Sequence, residues 1–237
     1  MASLLALLTA LLGVAFAVTV TRDFWRRRRP HQLAWAFGLL LYAVAAGCLF
    51  HAETVGWSPL TYRLYYLTGA YLTAAFLGMG TVYLLARRRL AHGIAAVLAL
   101  GSLVAGAVVL SVPLDLGALP DRARFSGEAL PQWVRLGTIP FNVFGTVALA
   151  GGALVSAWSC WRRHAPPRRV VSNVLIAAGA GITASGGTLL KLGVPDAFVW
   201  SLFAGLLVIS VGFLVSREVL VLRQARHPGL PLQRSAG

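Results

Sequence analysis

Seven long apolar stretches alternate with short polar breaks along this chain, and the breaks come in two kinds. The stretches run approximately over Leu4 to Val20, Leu33 to Ala52, Leu64 to Ala86, Leu90 to Val112, Val134 to Trp161, Val170 to Leu192 and Ala197 to Ser216. Each can cross a hydrocarbon core of about 30 Å at 1.5 Å per helical residue. The pattern predicts an all-α integral membrane protein, a seven-transmembrane-helix bundle occupying residues 1–226. The remaining 227–237, with Pro228, Gly229 and Pro231, read as a poorly ordered cytoplasmic tail.

The breaks after spans one, three, five and seven carry arginine clusters. These are Arg22 with Arg26, Arg27, Arg28 and Arg29; Arg87, Arg88 and Arg89; Arg162, Arg163, Arg168 and Arg169; and Arg217, Arg223, Arg226 and Arg234. Arginine beside an apolar span stays on the cytoplasmic side, where anionic lipid attracts it. The N-terminus is therefore expected outside and the C-terminus inside, in a bacterial-type inner (plasma) membrane, with the first three clusters contacting inner-leaflet lipid. A cleaved signal peptide ending near Ala15-Phe16-Ala17 is disfavoured. No basic residue precedes the apolar run, and cleavage would strand Arg26 to Arg29 on the wrong side. Trp25, Trp57, Trp133 and Trp161 fall near span ends, where amphipathic rings act as interfacial anchors.

Composition agrees with the pattern: 58% hydrophobic and 12% charged residues, with a mean hydropathy of +0.75. A soluble domain carries roughly twice that charge fraction. The net charge of +14 is one-sided, since 16 of the 21 basic residues lie in the arginine clusters, with Asp23 and Glu218 as their acidic company. Anionic lipid accounts for that asymmetry. Nucleic acid is not an expected partner, because no exposed element interleaves the arginines with aromatics.

Two features bear on architecture. At an offset of 136 residues Trp25 aligns with Trp161, Arg26 and Arg27 with Arg162 and Arg163, Pro30 with Pro166, Pro59 with Pro195, and Gly69 with Gly205. This allows a weak 3+1+3 internal repeat with span four as linker; the alternative is that any seven-span protein repeats Trp-Arg and Pro at its boundaries. Gly179, Thr183 and Gly187 recur on one face of span six, and span seven adds Gly205 and Gly212. Small residues at that spacing predict close packing of spans six and seven, or a homodimer interface on the same face.

Ionisable residues are nearly absent from span interiors. Asn142 lies about two turns into span five. At the opposite end from the arginines, Glu53 closes span two, Arg63 opens span three beside Tyr66, and Lys191 and Asp196 flank the turn between spans six and seven. These six residues are the candidate solute site, an outward-facing vestibule with Asn142 at its floor. The other reading pairs Glu53 with Arg63 and Lys191 with Asp196 as interfacial ion pairs. The loop Leu114 to Gln132 is long enough for Leu116, Leu119, Phe125 and Leu130 to cover that mouth.

No cofactor or metal is expected. Four of the five histidines sit at the arginine end, leaving only His51 at the other, which does not suit haem or catalytic zinc. Lys191, the sole lysine, ends span six rather than lying mid-membrane in the last helix, against retinal. Cys48 and Cys160 are separated by roughly 20 Å in depth, too far for a disulfide, and read as core thiols. No catalytic residues stand out, because no nucleophile and base share one depth.

The sequence thus points to a small-solute binder or transporter working through the outer vestibule. The alternative is a non-transporting sensor or accessory subunit working through the arginine-rich face. A reporter fused to the C-terminus is expected to be active only on the cytoplasmic side; activity confined to the outside would overturn the orientation.

Overall fold

The computed structural model describes residues 1–120, 127–191 and 194–226, and of 191, 195, 196 and 217–226 the backbone only. Phe125 and the tail 227–237 lie outside the described residues. Seven helices are long and apolar enough to cross a membrane, and no strand occurs among the described residues. They are α1 (Ala2–Arg27), α2 (Pro30–Thr54), α3 (Pro59–Leu85), α4 (Arg88–Ser111), α5 (Gln132–Arg162), α6 (Pro167–Lys191) and α7 (Pro195–Arg226). Several helices outrun their apolar stretches: α1 continues to Arg27, because arginine is a good helix former.

Local chemistry sets the boundaries. Proline opens α2, α3, α6 and α7, where its missing N–H would have no intrahelical partner. Ser58 caps α3 in a reciprocal box with Thr61. Two helices end on residues in the left-handed region, Arg28 after α1 and His164 after α5, each at φ 50°. The Arg28 N–H bonds the Phe24 carbonyl at 2.6 Å, and the Ala165 N–H bonds the Cys160 carbonyl at 2.9 Å, satisfying last-turn acceptors. Arg28 and His164 stand 136 residues apart, as do the first residues of α3 and α7.

Helix neighbours form a ring in the order α1, α2, α3, α5, α6, α7, with α7 packed back on α1. α4 stands outside it, leaning on α3 and meeting α5 where Gly101 faces Phe141. Only 17% of its apolar window is buried, against 61% for α2. The ring axis is filled by apolar side chains from all six helices, among them Phe16, Leu39, Leu77, Leu149, Ala180 and Leu206. Phe16 and Phe213 close the α1/α7 seam edge to face at 4.9 Å.

Two seams bring backbones almost into contact. A Cβ on Gly145 of α5 would lie 2.6 Å from the Ala75 nitrogen of α3. On α7, a Cβ on Gly205 would lie 2.8 Å from the Gly179 carbonyl of α6 and also meet Thr183. Gly212 sits 2.9 Å, by the same measure, from the Ser172 carbonyl. The expected α6 face is corrected in one position. Gly187 has nothing within 4 Å, and Gly186 lies against Ser201 and Phe198 instead. The reason is register: seven residues complete nearly two turns, so 179, 183 and 186 stay on one line while 187 rotates off it.

Both cysteines are free thiols, Cys48 buried and Cys160 half-buried. Trp25, Trp133 and Trp161 are exposed at helix ends. Trp57 is not: its ring packs edge to face on Tyr62 at 5.6 Å and Tyr65 at 5.4 Å.

Leucine at Gly145 or Gly205 is expected to lower the detergent melting midpoint by the equivalent of about 1–3 kcal/mol or more, the cost of overpacking. Leucine at Gly151 or Gly187, where a Cβ meets open space, is expected to leave the midpoint within experimental scatter.

Candidate functional site

At the end away from the arginines, Arg63, Tyr71 and Asn142 are bound to the protein's own backbone. Arg63 donates through Nη1 to the Val109 carbonyl and through Nη2 to the Val112 carbonyl at 2.7 Å. The last carbonyls of α4 have no intrahelical donor and carry the negative end of the helix dipole, so a guanidinium satisfies both needs. Arg63 therefore tethers α4 to α3. Glu53 is half-buried at the end of α2. The side chains of Lys191 and Asp196 lie outside the described residues, and with them the second expected pairing.

Asn142 is likewise committed. Its Nδ2 donates to the Ala70 carbonyl of α3 at 2.6 Å and to the Thr138 carbonyl one turn back at 2.9 Å. Ala70 belongs to a π-helical stretch, Tyr66–Thr73, within α3. The widened turn presents carbonyls to side chains: Thr73 reaches the Thr68 carbonyl five residues back at 2.7 Å, and Asn142 takes Ala70. A second π stretch, Val147–Gly151, interrupts α5 and packs against α3. Sequence gave no signal for either widened turn.

Tyr66 is buried within an aromatic stack. Its ring lies over Tyr62 at 6.2 Å and meets Tyr71 edge-on at 6.0 Å; Tyr71 continues to Phe141 at 5.3 Å. The Tyr71 hydroxyl donates to the Val134 carbonyl at the start of α5. Over this stack the loop folds inward. Ala129 and Leu130 are buried among Tyr62, Tyr66 and Val109, and the Ala129 carbonyl accepts from the Asp115 N–H at 3.1 Å. Asp115 also caps the turn Leu116–Ala118 through the Gly117 N–H at 3.0 Å. Of the residues expected to cover the mouth, Leu130 is inserted, Leu119 is partly buried and Leu116 is 63% exposed.

The arginine end is organised differently. Arg26 to Arg29, Arg87 to Arg89, Arg162, Arg163 and Arg168 are exposed, and Arg169 is half-buried. Arg28 lies over Trp25 at 4.4 Å and Arg162 over Trp158 at 5.3 Å, geometries in which the ring face attracts the cation. Between α5 and α6 at this end the helices part, leaving a groove floored by Trp158, Trp161 and Val170. No cluster of three or more His, Cys, Asp or Glu side chains that could hold a metal ion occurs among the described residues.

Comparison with known protein families, curated proteins and solved structures returns no match, so geometry alone carries the functional reading. What it offers is an interior joined by side-chain donors to backbone acceptors, and an exterior cationic face with an open groove beside it.

Removing these tethers has a calculable cost. Asn142→Leu and Tyr71→Phe are each expected to destabilise the bundle by about 1–2 kcal/mol, since interhelical hydrogen bonds in membranes contribute about 0.6 and rarely more than 1.7 kcal/mol while an orphaned carbonyl adds a desolvation cost. Thermal or denaturant unfolding in detergent measures this. No loss in either variant would mean that these bonds hold nothing together.

Proposed function

We propose that this protein is a non-transporting component of a bacterial-type inner membrane, with its N-terminus outside, its C-terminus inside, and its arginine-rich cytoplasmic face as the working surface. The observation that carries this reading is where the polar groups go. Arg63 and Asn142 are held by backbone carbonyls, Tyr66 lies in a packed stack, and the ring axis is filled with apolar side chains. A solute path needs polar groups free to exchange partners, and these have partners already. The cationic end, by contrast, leaves its side chains exposed. Anionic inner-leaflet lipid is its immediate partner by charge, at about 1 kcal/mol per basic residue near the surface.

The same reading takes the bundle as a duplicated three-helix unit joined by α4. Supporting it are the 136-residue offset of the two left-handed helix caps and the exchange symmetry of the ring, in which the α1/α7 seam corresponds to the α5/α3 seam. Solute binding at the outer end is the second reading, and one observation favours it. The π stretches of α3 and α5 lie where these helices meet, beside Asn142, and such stretches often accompany sites that move.

A panel of soluble metabolites and ions distinguishes the two. A ligand at 100 times its Kd adds about 2.7 kcal/mol, or several degrees, to a melting midpoint. No member of the panel is expected to shift the purified protein measurably. A shift of several degrees that disappears in Glu53→Gln or Asn142→Ala would overturn the accessory reading in favour of the vestibule.

A further inference from the structure

We propose that the groove between α5 and α6 at the arginine end is a binding site for one anionic phospholipid, holding the phosphate at Arg162 and His164, next to Arg163 in the chain, and an acyl chain along Leu154, Val155, Trp158 and Val170. This rests on the reading of the arginine end as the working face, and turns a diffuse charge attraction into a defined site.

The groove is graded along its length. One part is lined by Leu154, Val155, Ala157, Trp158, Trp161 and Val170, with a volume of about 540 Å³. The adjoining part, about 860 Å³, shares Trp158, Trp161 and Val170 and adds Arg162, His164 and Pro167. Both fall within the roughly 300–1,000 Å³ typical of ligand sites. Apolar walls running into a cationic rim match a molecule with the same order of parts, and a phospholipid has it. The groove is also open along its flank, beside exposed Leu154, Val155 and Val171 that the hydrocarbon would cover. A ligand arriving laterally from the bilayer reaches it; a soluble anion has no use for its apolar half.

Electrostatics point the same way. No Asp or Glu occurs anywhere from residue 129 to 195, so nothing on α5 or the described part of α6 competes for the cations. The rim is also preorganised. The connection between the helices is four residues long, fixed by the left-handed His164, the Ala165 to Cys160 bond and two prolines. Trp158 and Trp161 pack at 5.1 Å and hold the Arg162 guanidinium over a ring. A cation already positioned over a ring loses less entropy on meeting a phosphate. The equivalent corner between α1 and α2 carries the same residue types, Trp25 with Arg26 to Arg29, between two helices that pack on each other more extensively than α5 and α6 do. It supplies comparable charge at a second place, and is the internal control.

The test uses the full chain, delipidated in mild detergent, and counts bound lipid by native mass spectrometry with dioleoyl phosphatidylglycerol or dioleoyl phosphatidylcholine. One phosphatidylglycerol is expected to bind about tenfold or more tightly than phosphatidylcholine, given Arg162 on the groove rim and Arg163 next to it in the chain. Arg162→Gln with Arg163→Gln is expected to erase that preference. Val155→Trp, which fills the groove without touching charge, is expected to weaken both lipids. Arg26→Gln with Arg27→Gln is expected to change the preference less than about twofold. All five positions are exposed, and a melting curve on each variant verifies the fold. Equal binding of the two lipids, equal losses from the two arginine pairs, or full competition by glycerol phosphate would each overturn the site. These outcomes are independent of the reading beneath it, which fails instead if the C-terminal reporter is active outside.

Discussion

Backbone carbonyls are the acceptors on which this bundle depends. In hydrocarbon a carbonyl without a donor costs several kcal/mol, so helices must satisfy their own groups and any departure must be repaired by a neighbour. The repairs are visible one by one. Arg63 takes the open end of α4, Asn142 the π stretch of α3, and Tyr71 the first turn of α5. Elsewhere Trp35 of α2 reaches the Leu77 carbonyl at 3.0 Å, Tyr42 of α2 the Leu202 carbonyl at 2.8 Å, and Ser172 of α6 the Gly212 carbonyl at 2.7 Å. Each bond runs from a side chain on one helix to the backbone of another. Few ionisable groups are then needed inside, and the charges are left to the two faces.

Close approach of helices follows from the same constraint. A side chain as short as serine or asparagine reaches a neighbour's backbone only where little stands between, and Gly212 and Gly145 clear that space near Ser172 and Asn142. Glycine in a membrane helix is less costly than in water, because lipid offers the exposed backbone no competing partner. Packing and hydrogen bonding therefore reinforce one another along the α3/α5 and α6/α7 seams.

The seven spans were legible because apolar runs and arginine breaks are written directly in residue type. The α6/α7 contact was legible too, through Gly179, Thr183 and Gly205, but not to the residue: Gly186 and Gly187 differ by about 100° around the helix, and the sequence does not say which faces α7. The peripheral position of α4 was hidden, since lipid and protein interior are equally apolar and Leu100 reads the same facing either. The bonding of the candidate vestibule residues was hidden for a related reason. Arg63 and Asn142 were visible as polar residues near one mouth, but their partners are carbonyls, which every residue carries and no sequence marks. Trp57 reads as an interfacial anchor because it stands at a span end; it lies in the connection just ahead of α3, and the fold-back that packs its ring on Tyr62 and Tyr65 is not marked by residue type.

The place of α4 outside the ring has a consequence for parity. An odd number of crossings on either side of a single helix makes both three-helix units enter the membrane in the same sense. Without that one crossing the second unit would be inverted, and Arg162, Arg163, Arg168 and Arg169 would face away from Arg26 to Arg29. In the proposed duplicated arrangement, a helix that contributes little to the core is thus what keeps the two arginine corners at the same end of the bundle.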